Sequence, residues 1–318
     1  MAAQRQHERI KPPGLRRGDT VGIVAPASYF KREDFEAGCD RLRGMGYKPV
    51  YDESIFERDL YFAGSTERRV REFENMFARD DVKAIFCARG GYGANYLLQT
   101  LDLKTIARKP KIFVGYSDLT SLLTYISDAA RVVSFHGPMV AKDFARPDGI
   151  DLESFEEAVE GKANWTLDFA AGSGVKSLAE GSAEGVMYGG CLSMLVESLG
   201  TPYEIQTEDT ILFIEDLATK PYQIDRMLMH LKLAGKLAAV KGIIFGEMLD
   251  CASHPSQGFT LEEVVMRVVG DLKVPVAYGV RSGHVSRQNV TLPIGVEVLL
   301  NVGSSGVAIE FLEPATIQ

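Results

Sequence analysis

No stretch of the 318 residues approaches 18 consecutive apolar residues, so no membrane-spanning helix is expected. Cysteine is scarce. Cys39, Cys87, Cys191 and Cys251 lie far apart with no C-x-x-C pair, which speaks against a zinc site or a disulfide framework and suits a reducing compartment. Basic charge is in deficit, with 35 Lys and Arg against 43 Asp and Glu and a net charge of −8. Nucleic acid and anionic membranes are therefore poor partners for the chain as a whole. The first residues, "MAAQRQHERIKPPGLRRGD", lack the apolar core of a signal peptide, and a cytoplasmic protein is expected. Repeats and low-complexity tracts are absent. What remains is an ordinary globular composition, 46% hydrophobic and 25% charged. Such a chain can bury sizeable cores without metals or disulfides, and its length suits two domains.

Apolar runs alternate with helical spacing through the first half. "TVGIVAPAS", "KPVYDES", "VKAIFCA", "KIFVGYS" and "VVSFHGPMV" read as strands. Between the earlier ones, Phe35, Cys39, Leu42 and Met45 fall on one helical face, as do Val70, Phe73, Met76 and Phe77 after the candidate cap Ser65. Alternation of this kind predicts a parallel α/β sheet, whose sites form at the carboxyl ends of its strands. A loose leader over 1–12, an N-terminal α/β domain over 13–165, a Gly/Ala/Ser-rich linker over 166–184 and a smaller, more β-rich domain over 185–318 follow from the shifts in composition. The last of these ends in an alternating hairpin around Gly303-Ser304-Ser305-Gly306.

Five segments carry candidate chemistry. In "KIFVGYSDLTSLL" a strand stops at Gly115, Ser117 follows, and a helix begins. This is the layout of a nucleophile elbow, although Leu119 replaces the second glycine of G-x-S-x-G. The plainer reading is a helix cap. A serine nucleophile needs a base and an orienting acid. Of five histidines, His7 lies in the leader, His230 in a helix and His254 in a loop, while His136 and His284 follow apolar strands and either suits a site. Glu215 ends "ILFIEDL", where a carboxylate after four apolar residues is costly unless paired; two solvated acids opening a loop is the plainer alternative. "ARGGYGANYLL" is a glycine turn whose amides suit an anion, but it lacks both nucleotide fingerprints. Cys191 in "GGCLS" stands at a helix start, either an activated thiol or a small buried residue.

Taken in order, "ARGGYGANYLL", "KIFVGYSDLTSLL", "SFHGPM", "GGCLS", "LFIEDLATKPYQIDRMLMHL", "GIIFGE" and "GHVSRQNVTLPIG" resemble the LD-carboxypeptidases, serine peptidases also called muramoyltetrapeptide carboxypeptidases. The resemblance spans nearly the whole chain. It implies a Rossmann-like N-terminal domain bearing the serine and a β-rich C-terminal domain bearing glutamate and histidine. It also implies a triad of Ser117, Glu215 and His284. An oxyanion hole would be formed by the amides of Asp118 and Gly91, and Arg89, Gly90, Tyr92 and Cys191 would lie near the substrate. The family pattern has asparagine where Cys191 stands, so substrate contacts there are open. The implied reaction is release of terminal D-alanine from cytoplasmic muropeptide tetrapeptides in peptidoglycan recycling, by a homodimer, without metal or cofactor. Three rivals remain: a microcin-immunity-type peptidase acting on peptidyl or aminoacyl nucleotides, a cysteine hydrolase using Cys191, and a non-catalytic sugar- or nucleotide-binding protein using "RGGYG". Whether the residue before the scissile bond is diaminopimelate or lysine is left open.

Overall fold

The computed structural model describes residues 9–252, 256 and 258–318. Apolar runs closed by glycine or proline form its strands, and the amphipathic stretches between them form its helices. The first half alternates in sequence: β1 (Thr20–Val24), α1 (Arg32–Gly44), β2 (Lys48–Val50), α2 (Thr66–Ala78), β3 (Val82–Cys87), α3 (Leu103–Arg108), β4 (Ile112–Gly115), α4 (Thr120–Tyr125), β5 (Ser134–His136) and α5 (Leu152–Val159). Helix α2 shows the local cause. The Ser65 hydroxyl accepts the Arg68 N–H at 3.3 Å, and Phe73, Met76 and Phe77 are buried along one face, so cap and apolar stripe agree on one element. Strands β1 to β5 pair in parallel.

The second half contains β6 (Trp165–Ala170), β7 (Lys176–Ala179), β8 (Gly181–Cys191), α6 (Leu192–Glu197), β9 (Thr210–Glu215), α7 (Pro221–Leu233), β10 (Gly242–Gly246), α8 (Leu261–Val269), β11 (Val276–Val280), β12 (Leu292–Ile294), β13 (Glu297–Gly303) and β14 (Gly306–Phe311). Eight strands form a mixed sheet in the order β6-β14-β13-β8-β9-β10-β11-β7. Its middle, β8 to β11, is parallel and its flanks are antiparallel. The exception is β12, which crosses to the first sheet and pairs antiparallel with β5, Leu292 lying opposite His136. The first sheet therefore reads β12-β5-β4-β3-β1-β2. The molecule is a mixed α/β structure with one sheet built on parallel strands and a second, larger sheet, in agreement with the expected class. The described helices include none long and apolar enough to cross a membrane.

Two segments differ from their sequence reading. The expected linker 166–184 holds most of β6, all of β7 and the start of β8. Trp165 is buried and Leu167 and Phe169 half-buried on one face of β6, between exposed residues, and the glycines and serines are the turns between short strands. The expected leader is held from Ile10 onward: its N–H donates to the Arg131 carbonyl at 2.6 Å and its carbonyl accepts the Val133 N–H at 3.0 Å. His7 and His254 lie outside the described residues.

Candidate active site

Strand β4 is wholly buried and ends at Gly115, where an added Cβ would stand 3.2 Å from Leu119 and 3.3 Å from the Cys87 sulfur. That space lets the chain turn sharply. Ser117 adopts a left-handed φ of +66° and opens a 3₁₀ turn, Ser117–Leu119, that runs into α4. A non-glycine residue in this region stores about 1–3 kcal/mol of strain and persists only where its surroundings fix it. Here the fixing element is the turn after β3. Gly90 packs so tightly that a Cβ on it would lie 2.9 Å from the serine Cβ and 3.2 Å from its hydroxyl oxygen. The next residue, Gly91, has φ +105° and presses on Ser28. Ser28 in turn binds both backbone groups of Tyr92.

The acid comes from the second sheet. Glu215 ends the fully buried strand β9 and has no exposed surface. Its Oε2 accepts two hydrogen bonds from His284, one from the backbone N–H at 3.0 Å and one from ring Nδ1 at 2.7 Å. Burial pushes this carboxyl up, but the facing His284 outweighs it and holds the group below its usual range. The motif "SGHVSRQN" explains the aim of His284. Asn289 accepts the Gly283 N–H at 2.9 Å and donates to its carbonyl at 3.2 Å. Gly283 sits at φ +89°, where a Cβ would come 2.7 Å from the Glu215 carboxyl carbon; no side chain fits. Asp216, a second solvated acid only in the plainer alternative, is buried too. It receives the N–H and hydroxyl of Ser193 and closes the turn after β9 through Leu217 N–H and Thr219.

With Nδ1 committed to Glu215, the His284 ring also borders a cavity of about 490 Å³, and Ser117 borders the same cavity. Arg89, Gly90 and Gly91 line it as well. Arg89 donates to the Tyr29 carbonyl at 3.2 Å. Beneath the histidine lies Tyr116, edge-on at 5.2 Å between ring centroids. Its hydroxyl donates to the buried Asp143 at 3.3 Å. The cavity is cation-rich: Lys31, Arg89 and Lys142 face one acid, Asp34. Burial lowers the Lys142 ammonium, and its Nζ sits 5.2 Å from the Tyr116 ring centroid. Lys31 and Lys142 were not singled out in the sequence. Lys31 stands just before α1 and Lys142 within a short helical turn after β5, neither in a motif of its own, and only the fold turns them to one space.

Two residues expected near the substrate lie elsewhere. Cys191 is 6% exposed and does not line the cavity. Burial raises its thiol well above the ordinary range, so the reactive thiolate is disfavoured. Tyr92 borders a neighbouring cavity of about 480 Å³, with Tyr96, Tyr203 and Glu197. Of the other histidines, His230 is exposed on α7 and His136 is completely buried. The described residues hold no group of three His, Cys, Asp or Glu side chains suited to a metal ion.

The sequence matches the LD-carboxypeptidase N-terminal domain over residues 21–137 and the LD-carboxypeptidase C-terminal domain over residues 184–300. The chain belongs to the LD-carboxypeptidase family. It is 36% identical over 304 residues to the "probable murein peptide carboxypeptidase" of Bacillus subtilis, covering 94% of each chain. It is 30% identical to the microcin C7 self-immunity protein MccF of Escherichia coli, covering 92% of this chain and 93% of that one. Among solved structures, MccF in complex with aspartyl sulfamoyl adenosine superposes with a TM-score of 0.87 at 26% identity, over 97% of this chain and 100% of that one. The muramoyltetrapeptide carboxypeptidase of Oxalobacter formigenes superposes at 0.82 and 29% identity, over 92% and 98%. As a member of the LD-carboxypeptidase family, the protein is a peptidase of the carboxypeptidase type.

Proposed function

We propose that this protein is a serine carboxypeptidase that releases terminal D-alanine from muropeptide tetrapeptides during peptidoglycan recycling. The observation that carries the reading is Ser117, held at φ +66° on the wall of a cavity that it shares with His284, behind which lies the buried Glu215. In this reading His284 takes the serine proton as the hydroxyl attacks the amide carbonyl. The carbonyl π pair moves onto oxygen, where the Asp118 and Gly91 amides receive it. Comparable donors contribute about 3–4 kcal/mol. The C–N bond then breaks, and His284 returns the proton to the leaving amine. Water, deprotonated by the same imidazole, cleaves the acyl-enzyme and regenerates Ser117. Glu215 orients His284 and balances its charge throughout. The leaving residue carries a free carboxylate, which suits the cationic wall of Lys31, Arg89 and Lys142. Incubation with a free tetrapeptide and with its disaccharide form, read by mass spectrometry, tests the proposal: release of one D-alanine is expected. A protein active on neither would refute it.

One observation favours a second reading on the same residues. Tyr61, Phe62, Tyr92 and Tyr96 cluster at ring distances of 4.5 to 6.1 Å beside the Gly91 turn. Two of the four, Tyr92 and Tyr96, border the neighbouring cavity. Such rings suit stacking on a nucleobase, and a relative, MccF, is solved with aspartyl sulfamoyl adenosine. An aminoacyl or peptidyl nucleotide turned over faster than the tetrapeptide would select that reading.

A further inference from the structure

Behind Glu215 lies a second histidine that the mechanism above does not use. His136 ends β5 and has no exposed surface. Its Nδ1 lies 2.9 Å from the Ser282 hydroxyl, and its Nε2 lies 3.9 Å from Glu215 Oε1. Neither that nitrogen nor that oxygen has another hydrogen-bond partner. Oε2 already serves His284 twice, so Oε1 is the half of a fully buried carboxylate that remains uncompensated. A gap of 3.9 Å leaves no room for an intervening water, and a small approach turns the contact into a direct hydrogen bond.

The network also selects the tautomer. If Nδ1 carried the proton, the lone pair of Nε2 would face a buried carboxylate oxygen, and both would be left without a donor at the cost of an unsatisfied buried group. If the Ser282 hydroxyl donates to Nδ1, then Nε2–H faces Oε1, and the small approach satisfies both atoms. The ring is neutral, because burial disfavours the imidazolium and pushes its pKa down to about 4. It packs on Phe213 and Tyr116, at centroid distances of 5.1 and 5.9 Å. Gly283 closes the remaining side, since a Cβ there would meet His136 Cε1 at 2.8 Å.

We infer that His136 is a positioning residue: as the neutral Nε2–H tautomer set by Ser282, it holds Oε1 of Glu215, so that Oε2 stays aimed at His284 and the carboxylate stays ionised. The inference rests on the serine-enzyme reading of Ser117, Glu215 and His284. Other titratable groups coupled to this carboxylate or beside it are Asp216 on the same strand end, Cys191 at the end of β8, Cys251 after β10, Tyr116 after β4 and Lys142 after β5. Burial raises both thiols and the phenol, which keeps all three neutral. The pair Glu215–His284 is thus the titrating unit that a change at His136 reaches first. The positive end of the Nε2–H dipole opposes protonation of that pair, so removing it makes the pair hold its proton more tightly.

Histidine-selective ¹⁵N NMR of the full-length protein, joined to rate–pH curves, tests this. Wild type is expected to show His136 as the neutral Nε2–H tautomer from pH 6 to 9. In His136→Leu and Ser282→Ala, the imidazole titration of the pair and the acid limb of kcat/KM should both move up by about half a pH unit. In His136→Leu, kcat should fall roughly tenfold with KM within about twofold, as is typical for outer partners of a working group. His136→Gln, which restores an N–H donor, should recover much of both. An Nδ1–H tautomer overturns the inference. So does an unmoved titration in Ser282→Ala, the milder variant in case His136→Leu does not fold. The NMR arm needs no substrate, so absence of D-alanine release would count against the proposed reaction while leaving this inference to its own result.

Discussion

Two strand-to-helix turns in this molecule carry a hydroxyl or thiol side chain after a glycine, and they place it in opposite settings. Gly115-Tyr116-Ser117 leaves β4, and Gly189-Gly190-Cys191 leaves β8. At the first turn the left-handed angle falls on the nucleophile itself, φ +66° at Ser117. At the second it falls on the glycines before it, +122° and +148°, and Cys191 is extended at φ −67°. The outcome is opposite. Ser117 lines the same cavity as His284, whereas Cys191 is buried at the end of β8 with its N–H bound to the Thr120 hydroxyl at 3.0 Å. Its neighbours there are the carboxylates of Glu215 and Asp216, which discourage a thiolate. The two settings differ in which residue bears the strained angle and which charges surround it, although both side chains stand at a helix start.

Five substitutions probe this contrast. Ser117→Ala should lower turnover by about 10⁴-fold or more with the circular dichroism spectrum unchanged; near wild-type rates would end the serine mechanism. Next come the two supporting glycines. Gly90→Ala drives a Cβ to 2.9 Å from that of Ser117 and should lower kcat by about 10²-fold, since catalysis is sensitive to ångström-scale displacement of the nucleophile. Gly190→Ala places a Cβ 2.6 Å from the Thr120 hydroxyl at φ +148°. It should cost about 1–3 kcal/mol of stability, read by denaturant titration, with a smaller effect on kcat of the folded fraction. If Gly190→Ala proved the more damaging to kcat, the assignment of roles would be reversed.

The residue after each nucleophile gives a third probe. Leu192 is an apolar core residue, whereas Asp118 is a buried acid whose carboxyl burial pushes up to about 6 although it accepts the Ala94 N–H at 2.8 Å. A raised value means that the folded state binds the proton more tightly. Stability from this group is therefore fullest below about pH 4, falls as pH rises toward about 6, and is level above that, a span of about 2–3 kcal/mol. Asp118→Asn should flatten that part of the stability curve; an unchanged slope between pH 4 and 6 would contradict the burial argument. Asp128, also pushed up to about 6 by burial, should keep its own decline. Last, Cys191→Ala should change kcat by less than about twofold, and a large loss would revive the thiol.

The strands and the order of the first half were legible because buried parallel strands are short apolar runs closed by glycine or proline, as in Ile112–Gly115. Ser117 was visible as a residue but not as a conformation, since a cap and an elbow share one sequence pattern. His284 and Glu215 were each visible at a strand end, and their pairing required the family resemblance, because nothing local ties positions so far apart. Strands β6 and β7 were missed because edge strands with one wet face carry few apolar residues among their glycine and serine turns. The crossing of β12 was hidden for a different reason: three residues, Leu292–Ile294, carry no signal of which sheet they will join. His136 could have been weighed more heavily, as a histidine ending a wholly buried strand must have partners for both nitrogens.

That crossing strand has a mechanical consequence. Leu292 and Ile294 are stitched to β5 only eight and ten residues beyond His284, and β5 is the neighbour of β4, which leads into Ser117. The loop bearing His284 is therefore tethered at its far end to the same scaffold as Ser117. A hinge opening between the two sheets would have to unzip this short clasp or carry the loop with it, so the separation of His284 and Ser117 is insulated from such motion. A proteolytic cut near residue 180 would leave the two fragments fastened together.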